Sequence, residues 1–283
     1  MTVFGESAAI TTLSPAEMMK LAAARPAELI ERLIPQAAVC TLAGAPGIGK
    51  SMIGLSLAAA IGCGEDWFGL KVANAYGVLY VLGEGFSAFG NRIDAWRRAK
   101  GAEMPEHVRF FDGAAAGVDL SDAASINKLI ELTLQSKAAL VIFDTFAMLS
   151  DVKSENDNAE VGQVYRQLQR FTRATAATAL VVHHVSKAEG RVRGATAFRG
   201  NSDTVIKVSE DEVQGKERSL LSLSTFTSDD GKQRDLQPIR MVGFEIAAPG
   251  VLINEVIERQ QSVVHNLLDT AMQKEEETER KVA

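Results

Sequence analysis

The sequence predicts an α/β protein whose mostly parallel sheet is flanked by helices. Three observations carry that expectation. From residue 37 onward, short apolar runs alternate with helical segments, the order that a parallel sheet requires. The runs are apolar throughout rather than at every second position, as in strands covered on both faces. A glycine-rich turn also joins the first run to the first long helix.

Ser14, Pro15, Ala16 and Glu17 read as a capping box with proline at the first helical position. A helix follows and stops before Pro26. A second amphipathic segment, Ala27–Ile34, ends at Pro35. Residues 1–36 are thus expected to form a small N-terminal helical segment. Strand character follows at Ala37–Ala43, then a helix from Lys50 to about Ile61. Gly77–Leu82 reads as a strand, Arg92–Lys100 as a helix and Val108–Phe111 as a short strand. Ser121–Ser136 is an amphipathic helix, Leu140–Phe143 a buried strand, Glu160–Thr175 a helix and Thr178–Val182 another buried strand.

After Lys187 the texture changes. Lys187–Arg199 is basic and contains glycine, and reads as a loop plus a short helix. Val205–Val208, Ser219–Thr225 and Ile239–Ile246 are strand-like, with a turn signal at Asp229, Asp230 and Gly231. They predict a C-terminal antiparallel extension of the sheet. Residues 37–262 are expected to be one domain and 263–283 a charged tail.

Composition narrows the classes. The chain has 283 residues, 46% hydrophobic and 23% charged, which excludes global disorder and fibrous rods. A net charge of −6 means that any nucleic-acid contact runs through a local basic patch. The only cysteines are Cys40 and Cys63, with no CxxC, which speaks against a disulfide scaffold or a zinc site. No apolar run reaches the ~18 residues of a membrane helix, and the N-terminus lacks a basic signal region. A soluble, cytoplasmic protein is expected.

Gly44, Ala45, Pro46, Gly47, Ile48, Gly49, Lys50 and Ser51 fit G-x-x-x-x-G-K-[ST], with Met52 next in the helix. Glycines let backbone N–H groups turn toward phosphate oxygens, and the helix N-terminus adds its dipole. Lys50 supplies a charge to the β/γ-phosphates and Ser51 a hydroxyl to Mg²⁺. The strand Ala138–Phe143 ends in Asp144, placed to hold Mg²⁺ through water beside Ser51, or to serve as a turn or cap residue. The strand Val78–Leu82 leads to Gly83 and Glu84, where a carboxylate can activate water or stand as a solvated loop residue. The strand from Ala179 ends in His183 and His184. Adjacent residues of a strand point to opposite faces, so at most one imidazole readily faces a nucleotide; a γ-phosphate sensor and a structural histidine are both open. Lys187, Arg191, Arg193 and Arg199 stand against one acid, Glu189. They read as a loop touching DNA or RNA phosphates, as the source of an arginine finger, or as a solvated loop.

Together these residues resemble a RecA-like P-loop ATPase, and most closely the RepA-type hexameric replicative helicase family of plasmids and phages. The resemblance spans roughly Leu29 to Ile246 and rests on LIPQAAVCTLAGAPGIGKS, VLYVLGEG, LVIFDTF, SENDNAE, VVHHVSK and RGATAFRGNSDTVIKV. It implies Glu84 as catalytic glutamate, Arg92 near the nucleotide, and a histidine of the His183–His184 pair sensing the γ-phosphate. It also implies ATP and Mg²⁺ as cofactors, hexameric rings with ATP between subunits, and single-stranded DNA in a central channel. Many relatives carry K-x-K-D-G near the C-terminal strands; here Thr227, Ser228, Asp229, Asp230 and Gly231 occupy that stretch, without the lysines. Arg193 and Arg199 are the candidates for the arginine that acts in trans.

Two function classes follow: an ATP-driven DNA helicase or translocase, and an ATP-controlled DNA-binding or loader protein that does not unwind. A small-molecule kinase would need a substrate lid, which the C-terminal strand region does not resemble. A GTPase N-K-x-D and an ABC-type L-S-G-G-Q are absent from the sequence.

Overall fold

The computed structural model describes residues 12–23, 27–185, 195–211, 220–247 and 251–254. Helix α1 (Pro15–Ala23) begins with the expected box: the Ser14 backbone N–H and hydroxyl both donate to Glu17 Oε2 at 2.7 Å, and the Glu17 N–H donates back to Ser14 Oγ. The next segment departs from expectation. Ala27–Ile34 is not helical; β1 (Glu28–Ile30) pairs antiparallel with β2 (Ile34–Pro35) around a turn in which Arg32 has φ 59°. Leu29, Ile30, Leu33 and Ile34 are buried in the main core. Burial against that core outweighs the local helical spacing.

The strands that follow are β3 (Val39–Gly44), β4 (Gly77–Leu82), β5 (Val108–Asp112), β6 (Ala138–Asp144), β7 (Thr178–His184) and β8 (Thr204–Asp211). All pair in parallel, in the order β8-β3-β7-β6-β4-β5. Beyond β8 the sheet continues antiparallel through β9 (Leu220–Ser224), β11 (Arg240–Ala247) and β12 (Val251–Asn254), while β10 (Lys232–Gln233) pairs with β8. The extension was expected; β10 and β12 were not. The charged tail, residues 263–283, lies outside the described residues.

Helices α2 (Lys50–Cys63), α3 (Phe86–Lys100), α4 (Ala123–Ser136), α5 (Asn158–Thr175) and α6 (Ala195–Asn201) complete the fold. Alternate strand residues serve opposite cores. Cys40, Leu42, Tyr80, Ile142 and Val182 pack on the α2 side; Val39, Val81, Phe143 and Val181 pack with α4 and α5. This alternation decides where each strand-end residue points. Helix α3 starts six residues before the expected Arg92, after Gly85 in the left-handed conformation (φ 63°).

Candidate nucleotide site

The site lies where β3, β4, β6 and β7 end. Gly49 caps α2 with φ 97°, and a Cβ there would meet Ile246 Cδ1 from β11. Glycine is therefore required at this turn on two counts. The turn leaves the first N–H groups of α2 facing a cavity of ≈ 340 Å³. Its walls are Gly47, Gly49, Lys50, Ser51 and Met52 from the turn and α2, Arg92 from α3, Thr145 after β6, Val182 and His184 from β7, and Ile246. Seven of the residues singled out in the sequence thus share one wall. Arg92 also lies over the Phe89 ring at 5.2 Å, a cation–π contact.

Lys50 is only 3% exposed. Its ammonium donates to Gly44 O at 2.9 Å and Ala45 O at 2.8 Å, and lies 2.9 Å from His184 Nδ1. An ammonium has no lone pair, so Nδ1 accepts and the His184 ring is neutral with its proton on Nε2. Burial pulls the Lys50 ammonium down to about 8, against the nearby Asp144 carboxylate, which favours the charged form. His184 is lowered by burial first and by Lys50 second, with Asp144 and Glu84 opposing.

The two histidines part company. His184 shares the α2 side with Val182 and reaches Lys50. His183 takes no place on the cavity wall. It is fully buried, stacked on Phe198 at 3.7 Å between centroids and edge-on to Phe146 at 5.8 Å. Neither of its ring nitrogens has a hydrogen-bond partner, and burial lowers it to about 3. The structure places it as a core ring. His183→Ala should therefore lower stability by about 2 kcal/mol, through the lost packing. His184→Ala should change stability by less than about 1 kcal/mol and impair nucleotide response. Chemical denaturation of both variants, set beside nucleotide titrations, checks the assignment.

Asp144 is buried behind the cavity wall and accepts a hydrogen bond from the Tyr80 hydroxyl at 2.8 Å. The same hydroxyl lies 3.3 Å from Ser51 O. Tyr80 was not anticipated: within an apolar run it reads as core, and only the alternation that places it on the Asp144 side could have flagged it. The Ser51 hydroxyl and the Asp144 carboxylate are hard oxygen donors on one side of the cavity, a set suited to Mg²⁺. Thr145, buried and with its hydroxyl unpartnered, was also missed. Glu84 is exposed just past β4. The strand end is tied to β6 by the Gly83 N–H to Asp144 O bond of 2.7 Å, and the Glu84 charge acts on His184.

Arg199 is not on the cavity wall; its guanidinium pairs with Asp230 at 3.4 Å, in the turn where the lysines are missing. In that turn Asp229 is held by Arg240 and by Ser224. Lys187, Arg191 and Arg193 lie outside the described residues. No helix among the described residues is long and apolar enough to cross a membrane.

Among solved structures the chain is similar to the ATPase domain of a helicase, with a TM-score of 0.52 and 15% identity over 80% of this chain and 91% of that one. That likeness shows the fold, a RecA-like core. No curated protein matches the chain. Residues 8–190, more than half of the sequence, match the AAA domain family, and with its phosphate-binding turn, parallel sheet and strand-end carboxylate the chain belongs to that family of P-loop domains.

Proposed function

We propose that the protein is an ATP-hydrolysing motor, a ring-forming DNA helicase or translocase that resembles the RepA-type family of plasmid and phage replication. The observation that carries this reading is the Lys50–His184 contact. It joins the phosphate-binding turn to β7, which leads within two residues to the basic stretch of Lys187, Arg191 and Arg193. Nucleotide phosphates would draw the Lys50 ammonium away from Gly44 O, Ala45 O and His184 Nδ1. The lost contact would then be felt at the base of the segment proposed to touch single-stranded DNA. Arg92 approaches the phosphates from α3.

Bound Mg²⁺, held by Ser51 and through water by Asp144, neutralises charge on the β- and γ-phosphate oxygens. Glu84 accepts a proton from water as its oxygen bonds to the γ-phosphorus, while the bond to the departing ADP oxygen breaks and its electron pair leaves with ADP. Arg199 or Arg193 completes a neighbouring subunit's site in a hexamer.

A second reading is supported by the turn at residues 227–231. In place of the family's lysines it presents carboxylates, and Asp230 engages Arg199 within the same chain. An ATP-controlled DNA-binding or loader protein without unwinding fits that feature. ATP turnover with and without single-stranded DNA, with mass followed by light scattering, separates the two. Stimulated turnover in a ring-sized species is the expected result. ATP binding with little turnover and no DNA response would favour the loader.

A further inference from the structure

We infer that Tyr80 is the positioning residue for the Asp144 carboxylate and, through it, for the divalent cation that accompanies the nucleotide. The inference rests on the reading of Asp144 as the carboxylate that holds that cation.

Tyr80 is the one hydroxyl in the buried run of β4. A buried hydroxyl needs a partner, and this one donates to Asp144 Oδ2. Among the described residues no other group hydrogen-bonds the Asp144 carboxylate. A carboxylate taken out of water tends to pick up a proton unless a donor favours its charged form. Tyr80 is such a donor at every physiological pH, because burial and the adjacent Asp144 push its own ionisation well above the usual range. By occupying Oδ2 it also fixes the carboxylate plane and leaves Oδ1 uncommitted.

The surroundings are built for this contact. The Tyr80 ring packs on Phe89 at 4.9 Å and on Phe110 at 5.8 Å between centroids. Across from the hydroxyl, α2 carries Gly54, where a Cβ would lie 2.8 Å from the hydroxyl oxygen. Glycine disfavours a helix interior; here it clears the space that lets one hydroxyl touch both Asp144 and the Ser51 backbone. The cation-facing residues Ser51 and Asp144 are thus held in register by a side chain that faces no ligand itself. Groups behind metal-holding residues typically set metal affinity by tenfold or more.

The test is equilibrium binding of a fluorescent ATP analogue by the full chain, in EDTA and across a Mg²⁺ titration. Tyr80→Phe keeps the ring and removes the hydroxyl. It should raise the Mg²⁺ midpoint by about 10-fold and leave affinity in EDTA unchanged. Gly54→Ala, which crowds the hydroxyl, should shift the midpoint in the same direction and serves if Tyr80→Phe folds poorly. A shifted midpoint for Asp144→Asn with none for the other two variants would overturn the role of Tyr80. No shift for Asp144→Asn either would overturn the reading of Asp144 itself, and the inference with it. Equal weakening in EDTA and in Mg²⁺ would show a structural effect on the turn and would also overturn it.

Discussion

Lys50→Ala should weaken ATP binding by at least about 10²-fold, the loss expected when an enclosed charged donor to phosphate is removed. The effect is large because the ammonium works from a buried position, where water does not screen it. The same burial gives the contact a pH signature. In the ligand-free protein the ammonium is half lost at about 8, and only the charged form meets phosphate favourably. Binding therefore takes up a proton above that pH. ATP affinity should be level below pH 8 and fall above it, by up to tenfold per pH unit. Lys50→Ala should remove this dependence along with the affinity. Titrations of both proteins between pH 6.5 and 9.5, values chosen to bracket the roughly 8, check both statements.

Glu84→Gln should bind ATP as the unaltered protein does and hydrolyse it about 10²–10⁴-fold more slowly, the usual range for a lost general base. The substitution is isosteric and the residue is exposed, so the fold has no reason to respond. The lost negative charge should also be felt at His184, which Glu84 pulls toward its charged form. Filter binding paired with single-turnover phosphate release measures the two effects separately. Normal hydrolysis would place the base elsewhere; weakened binding would make Glu84 a binding group.

Much of this was readable in advance, for identifiable reasons. The central strands are uniformly apolar, so their positions stood out, and Gly77–Leu82 matches to the residue. The G-x-x-x-x-G-K-S turn located the site because its chemistry demands those residues in that order. The order of the strands was not readable, since pairing between β3, β7 and β8 is decided by contacts far apart in sequence. Ala27–Ile34 misled because buried residues at 29, 30, 33 and 34 suit a helix face as well as a tight hairpin. The early start of α3 was hidden by Gly85 and Gly90, which read as loop. For the histidines, alternation foretold that one would face the site; only the structure shows that it is His184. Tyr80 and Thr145 were missed because a hydroxyl in or beside a buried strand has no sequence mark of its partner.

The central claim is that the ends of β3, β4, β6 and β7 form one site for Mg²⁺ and ATP. Amide hydrogen exchange with and without Mg²⁺ and a non-hydrolysable ATP analogue tests it most directly. The account predicts slowed exchange together at residues 44–52, 83–86, 144–145 and 184–185. Slowing elsewhere in the chain, with residues 44–52 unchanged, would contradict it.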